Sequence, residues 1–373
     1  MGTGAAAKIG LDVRLTYYTG GGIARYIRHL ASDLPGLDSS LAFTHFYRRG
    51  QAASYSAQAR RVDCWTPSHH RLERWALALE ISPYRLDLLH SPDFIPPQAG
   101  YRRSVITVHD LTFLHDPEFL TPDSRRYYNA QIHWAVGRAS AISADSAATR
   151  DDLVSLLGVD ANKISVIHLG LEPQYTPTAV DGDDAVLKRL GLPRGYVLFV
   201  GTFEPRKNVP GLLSAYALLR QRCPDAPPLV LAGRRGWLFE SSLEKIRALG
   251  LEPHVTILAE LAENDLPVLY RGAGLFVLLS HYEGFGFPVL EAMGCGVPAV
   301  VANRASLPEI AGGAALLVEP DDPDGASEAM VRGLSDSGLR ADLRARGLAQ
   351  AARFNWDSTA RATLALYHRV LAA

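Results

Sequence analysis

The sequence predicts an α/β protein made of two doubly wound domains. Short apolar runs of buried-strand length alternate with segments of helical periodicity. The pattern lapses between Gly170 and Asp184, where Pro173, Pro177 and three aspartates break regular structure, and it restarts at Tyr196. In both halves the strand-like runs end in glycine or polar residues, the positions at which open α/β sheets gather ligands. The domain boundary is placed near residue 178.

The chain has 373 residues, enough for two substantial cores, and is 47% hydrophobic and 21% charged, as in an ordinary globular protein. A formal net charge of −1 gives no global field for nucleic acid, so any basic site must be local. Cys64, Cys223 and Cys295 form neither a disulfide framework nor a metal cluster, which points to a reducing compartment. No run of about 18 apolar residues is present, and Met1–Ala7 lacks the apolar core of a signal peptide, so a cytoplasmic protein is expected.

In the first half, Lys8–Arg14 reads as the opening strand. A helix follows with Ile23, Tyr26, Ile27 and Leu30 on one face. Gly20, Gly21 and Gly22 lie between them, either as an anion-binding loop at a helix start or as a flexible turn. Residues 60–85 are basic and aromatic. Within them Leu72, Trp75, Ala76 and Leu79 share a helical face, expected to pack on the core, with an interfacial membrane helix as the alternative. Leu86–Pro92, Ser104–Asp110, Ala141–Ala144 and Ile164–Leu169 read as further strands. His109 and Asp110 fall at a strand end, where an imidazole can exchange a proton near neutral pH or simply pack. Ser146 is a helix-cap candidate.

In the second half, Tyr196–Val200 is a buried strand followed by Gly201-Thr-Phe-Glu-Pro-Arg-Lys-Asn208. Arg206 and Lys207 are adjacent cations at a strand end. Five lysines against 33 arginines make this lysine more than compositional drift. A guanidinium fork and a compact ammonium together suit phosphate oxygens. Leu229–Gly233 and Val255–Ala259 continue the sheet. The segment from Ser280 is the densest in signals: strand Leu275–Leu279, then Glu283-Gly-Phe-Gly-Phe-Pro288, a short helix, and strand Val297–Val301. Glu283 and Glu291 stand eight positions apart. Small residues in the loop allow close backbone approach, a helix start favours an anion, and carboxylates accept from hydroxyls. A phosphate-bearing polyol fits these donors and acceptors. Asp321-Asp322 reads as a solvated turn rather than a metal site, and Cys295 as a packing residue.

The run from Ser280 to Pro298 resembles the paired-glutamate signature of the retaining glycosyltransferases of family 4, which have the GT-B fold. The likeness extends over nearly the whole chain and is strongest over 196–208 and 280–310. It implies two Rossmann-like domains facing across a cleft: an acceptor-side domain, 1–178, and a donor domain, 179–355, with a helix at about 356–373 returning to the first. It implies that Glu291 holds the ribose hydroxyls. Glu283 and the backbone of Gly284, Phe285, Gly286 and Phe287 hold the transferred sugar. Arg206 and Lys207, next to Gly201, neutralise the leaving diphosphate. Gly20–Gly22 lie near that diphosphate, and His109 contacts the sugar. No metal or other cofactor is implied. The Glu-Pro-Arg-Lys-Asn run resembles bacterial mannosyltransferase-like members, which favours GDP-mannose over a UDP-sugar. The acceptor is a glycan or a lipid-linked sugar, with peripheral contact at the inner membrane face as the minor expectation. A nucleotide-sugar epimerase would require further acids around residues 206 and 283, and a non-catalytic binder would be expected to lack Arg206, Lys207 or Glu283.

Overall fold

The computed structural model describes residues 6–18, 20–115, 122–236 and 239–373, with the side chains of 122–124 and 126 outside the description. Most of the N-terminal stretch Met1–Ala7 lies outside the described residues. The chain divides into two compact units, Met1–Gly170 with Trp356–Ala373, and Leu171–Asn355. The division falls at Gly170, ahead of the expected residue 178.

The first unit carries a seven-stranded, all-parallel sheet. Its strands are β1 (Ala7–Asp12), β2 (Leu41–Arg48), β3 (Arg60–Cys64), β4 (Leu86–Ser91), β5 (Tyr101–Val108), β6 (Ala141–Ala144) and β7 (Ile164–Val166). They run in the order β3-β2-β1-β4-β5-β6-β7. The order reverses between β1 and β4, so the switch point, where doubly wound sheets bind ligands, lies at the carboxyl ends of these two strands. The middle of the sheet is buried on both faces, as Ile9, Leu11, Leu88, Ile106 and Val108 show.

β2 and β3 escape the sequence pattern for physical reasons. β2 interrupts its apolar run with Thr44 and His45, both buried. β3 is an edge strand in which Arg60 and Asp63 are exposed and Arg61 is half-buried, as edge strands often are. The helix Trp356–Ala372 belongs to this unit and packs on the helix Gly22–Leu37. There His29 stacks on Trp356 at 4.1 Å, and Tyr367 hydroxyl meets His90 Nδ1 at 2.6 Å.

The face Leu72–Trp75–Leu79 corrects the expected packing. The helix Glu73–Ile81 turns Glu73, Leu77, Ala78 and Ile81 inward and leaves Leu72, Trp75 and Leu79 59%, 53% and 78% exposed. The reason is Glu73. Its carboxylate is drawn inside by the fully buried Arg14, whose guanidinium reaches Glu73 and Asp12 at 2.6 Å each. That pairing sets the rotation of the helix against its apolar stripe.

The second unit repeats the plan with six parallel strands: β8 (Tyr196–Val200), β9 (Leu229–Ala232), β10 (Val255–Leu258), β11 (Ala273–Leu278), β12 (Ala299–Ala302) and β13 (Leu316–Val318). Their order is β10-β9-β8-β11-β12-β13, with the switch point between β8 and β11. Tyr196–Phe199 and Leu275–Leu278 have no exposed surface, as parallel strands covered on both faces require. At the end of β9, Gly233 sits so close to Gly201 that a Cβ on it would lie 1.9 Å from the Gly201 carbonyl oxygen. Any side chain there would push the β8 loop aside.

Candidate functional site

The loop after β8 and the loop after β11 meet at the switch point of the second unit. The turn Pro205–Lys207 ends at Asn208, which adopts a left-handed conformation and caps the helix Val209–Arg222 by accepting from Gly211 N–H. The Asn208 amide also donates to the Pro320 carbonyl at 2.8 Å. The facing loop is tied to this turn by His281 N–H, which donates to the Arg206 carbonyl at 2.8 Å.

Glu283 is the hub between the loops. Its Oε1 accepts from Lys207 Nζ at 2.5 Å and from Ser280 Oγ at 2.7 Å, and its Oε2 accepts from Arg206 at 2.8 Å. Lys207 and Glu283 are both buried, while the Arg206 side chain is 25% exposed and also reaches Glu204 at 3.1 Å. Burial opposes the charge on Glu283, but Lys207 and Arg206 outweigh it and hold the carboxyl down at about 2. Burial depresses the Lys207 ammonium, and Glu283 only partly restores it. The result is a buried Lys207–Glu283 pair, with Arg206 shared between Glu283 and the more exposed Glu204 and presented to solvent. A solvent-facing guanidinium fork at a strand end, beside an ammonium, can take the oxygens of a diphosphate.

The glycine-rich loop is shaped by the helix Phe287–Gly294. Gly286, its N-cap, has φ 112°, which an L side chain rarely adopts, so this position requires glycine. Ser306 Oγ clamps the loop from below, donating within 2.7 Å of the carbonyls of both Glu283 and Phe285. Gly284, Phe285 and Gly286 are buried. Glu291 stands apart from the ion cluster. It is 3% exposed on the helix and accepts from the Tyr270 hydroxyl at 2.9 Å. Cys295 ends the same helix, and burial pushes its thiol up to about 12, in line with packing. Asp322 caps the helix Pro323–Ser335 by accepting from Gly325 N–H at 3.0 Å, which explains one of the two acids in that turn.

Ser280, Ser306, Asn208 and Tyr270 complete this site, and sequence reasoning assigned none of them a role in it. Ser280 opened the segment that carried the resemblance, and Tyr270 lies on the helix Leu266–Gly272 that precedes β11. Ser306 left no local signal, because its partners are backbone carbonyls twenty-odd residues away.

The remaining expected residues lie in the first unit. Gly21 is the N-cap of the helix Gly22–Leu37, and Gly20 faces open space, with no atom within 4 Å of where a Cβ would stand. His109 follows β5 with both ring nitrogens engaged: Nδ1 faces Asp145 at 2.7 Å and Nε2 faces the Pro92 carbonyl at 2.8 Å. Burial pushes the Asp145 carboxyl up and His109 pulls it back; with Asp145 ionised, both oxygens facing the ring only accept, so both nitrogens carry protons and the ring is an imidazolium. Burial opposes that charge, but Asp145 and, more weakly, Asp93 outweigh it and raise His109 to about 9. Ser146 caps the helix Ala147–Leu157, accepting from Thr149 N–H at 3.1 Å.

The sequence matches the model of the glycosyl transferases group 1 over residues 188–350 and that of Glycosyltransferase Family 4 over residues 20–175. It is 36% identical over 307 residues to O-antigen chain mannosyltransferase B of Escherichia coli, covering 82% of this chain and 79% of that one. It is 31% identical over 317 residues to D-inositol 3-phosphate glycosyltransferase of Salinispora arenicola, covering 77% and 69%. Among solved structures, WaaG, a glycosyltransferase involved in lipopolysaccharide biosynthesis, aligns over 95% of this chain and 97% of its own with a TM-score of 0.74 at 16% identity. The fold is therefore GT-B, and the chain belongs to the group 1, family 4 glycosyltransferases. It is a hexosyltransferase.

Proposed function

We propose that the enzyme transfers a sugar, best read as mannose from GDP-mannose, with retention of configuration, to a glycan or lipid-linked acceptor in O-antigen-type polysaccharide synthesis. The observation that carries this reading is the Arg206–Glu283–Lys207 cluster at the β8/β11 switch point, in which Lys207 and Glu283 are buried. The name of the E. coli mannosyltransferase relative supports the sugar and the pathway class.

In this reading Arg206 and Lys207 meet the diphosphate of the donor and stabilise the charge that grows on it as the glycosidic bond breaks. Both are already fixed by Glu283, Lys207 in a buried, low-dielectric setting, so little reorganisation is needed at the moment of reaction. Glu283, with the loop Gly284–Phe287 behind it, positions the transferred sugar, and Glu291 holds the ribose hydroxyls. Gly201 and Gly20–Gly22 keep backbone close to the phosphates without side-chain interference. His109 contributes fixed positive charge. Its Nε2–H would have to leave the Pro92 carbonyl to bond a sugar oxygen. The leaving phosphate itself helps to deprotonate the acceptor on the same face, which yields retention. The two cations take the place a metal ion would otherwise fill.

A UDP-sugar donor is the second reading of the same site. A thermal-shift series with GDP, UDP, ADP and their sugars, with and without Mg²⁺, separates the two, because a ligand of the folded state raises its melting temperature. GDP and GDP-mannose should each stabilise the chain without metal. Stabilisation by UDP ligands alone would overturn the donor, and no stabilisation by any nucleotide would overturn the reading. The configuration of the product, read by NMR at the anomeric proton, tests retention.

Among the described residues no helix is long and apolar enough to cross a membrane. The exposed Leu72, Trp75 and Leu79, joined by Trp65 at 66% exposure and by Arg71, favour a peripheral role at an anionic membrane face. Flotation with vesicles rich in anionic lipid should carry the wild type and lose a Leu72→Ser/Leu79→Ser variant.

A further inference from the structure

At the switch point of the first unit lies a notch of about 20 Å³, room for one water-sized group. It is lined by Asp12 at the end of β1, by Ser91 at the end of β4, and by Ser68, His69, Glu73 and Asp93. Ser91 is 2% exposed, and its hydroxyl has no hydrogen-bond partner among the described residues. A buried hydroxyl left unpaired is costly, so it calls for a partner that enters the notch.

The wall opposite is held with care. His69 adopts a left-handed backbone, φ 61°, and is pinned there from two sides. Its N–H donates to Glu73 at 2.7 Å, and its Nε2 meets Asp93 at 2.6 Å. Asp93 also accepts from Phe94 N–H at 2.8 Å. Asp93 and His69 keep 21% and 34% of their side-chain surface, so this pair can be reached from solvent. Tyr127 and Tyr128, both half-buried, stand with ring centres 6.1 Å from the His69 ring. A hydroxyl-sized notch beside carboxylates and aromatic faces matches a sugar, which presents hydroxyls at its rim and C–H groups on its faces.

The charges narrow the class. Asp12, Glu73 and Asp93 face the notch against two cationic groups, both already committed: Arg14, with no exposed surface, is paired with Asp12 and Glu73, and His69, raised by Asp93, is paired with Asp93. An anionic group would meet carboxylates with no cation free to answer them. We propose that this notch is a hydroxyl subsite for an uncharged acceptor sugar, in which Ser91 Oγ and the Asp93–His69 pair bind one hydroxyl while Tyr127 and Tyr128 border the ring. The assignment rests on the sugar-transfer reading above and deepens it, since it selects a neutral glycan over a phosphorylated polyol as acceptor. Ser91 acts here as a specificity-determining residue.

The test uses the full chain with its sugar donor, methyl α-mannoside as neutral acceptor and mannose 6-phosphate as its anionic counterpart. Wild type should prefer the neutral glycoside. Ser91→Ala should raise the KM for that glycoside about tenfold, with the KM for donor unchanged and the melting temperature equal or higher. A purely structural Ser91 would leave the acceptor KM where it was, because removing an unpaired buried hydroxyl costs the fold nothing. Ser91→Val, which fills the notch, should weaken the acceptor further. An unchanged acceptor KM in Ser91→Ala, a preference for mannose 6-phosphate, or refusal of every neutral sugar by a chain that binds its donor overturns this inference alone. A wild type that binds no nucleotide sugar overturns the donor reading with it.

Discussion

At the ends of β8 and β11, two cations gather on one buried carboxylate, Glu283. At the ends of β1 and β4, two carboxylates, Asp12 and Glu73, gather on one buried guanidinium, Arg14. The two units share a doubly wound topology and a switch point, yet the charge of the hub and its satellites is inverted. Topology decides where a site forms, and the side chains decide what it can hold. A guanidinium fork open to solvent suits a diphosphate, and carboxylates beside an unpaired hydroxyl suit a neutral polyol.

The comparison can be broken most forcefully at the hubs. Glu283→Ala leaves Lys207 buried without its partner and should cost about 3–5 kcal/mol of stability, read by chemical denaturation. Pyrophosphate should restore part of that loss in this variant, since it supplies the missing negative charge. Glu73→Ala should destabilise comparably, but pyrophosphate should give nothing back. Equal rescue of both variants would erase the distinction between the sites.

The two units should also fail at opposite ends of the pH scale. The Glu283 carboxyl, depressed from 4.5 to about 2, contributes stability that is present above pH 4.5 and disappears as pH falls through 2. The His109 imidazolium, raised from 6.5 to about 9, contributes stability that is complete below pH 6.5 and disappears as pH rises through 9. Imidazole NMR should show His109 titrating near 9 in the wild type and well below that in Asp145→Asn. A His109 that titrates near 6.5 in the wild type would remove the fixed cation. A smaller effect is expected at Glu291, where Ala should weaken nucleotide affinity about tenfold through lost hydrogen bonds to a charged group. Smallest of all is the exposed stripe. Leu79→Ser should change stability by no more than about 0.5 kcal/mol, so any loss of vesicle flotation in that variant reports on the surface alone.

The convergence of Arg206, Lys207 and Glu283 was legible in the sequence because these residues lie in two short runs, each at the end of an unmistakable buried strand. The supports did not show: Ser306 and Asn208 act on backbone carbonyls from distant segments, and no periodicity announces that. In the first unit the reading was thinner. β2 hides a buried histidine inside its apolar run, β3 is a charged edge, and the rotation of the helix Glu73–Ile81 follows from Arg14, a residue read as the end of a strand. His109 was found at its strand end, but the two bonds that make it a cation come from Pro92 and Asp145, which only the fold brings together. Buried charges override apolar periodicity because leaving one unpaired costs more than exposing a leucine.

The most direct test of the account lies in Lys207. Release of GDP from GDP-mannose should be followed in wild type, Lys207→Ala and Lys207→Arg, alongside GDP affinity by calorimetry. Loss of one preorganised charge from the leaving diphosphate should lower turnover in Lys207→Ala about 10²–10³-fold, with GDP affinity reduced far less and Lys207→Arg in between. Turnover in Lys207→Ala equal to that of wild type would contradict the account, since the cations gathered on Glu283 would then have no part in breaking the glycosidic bond.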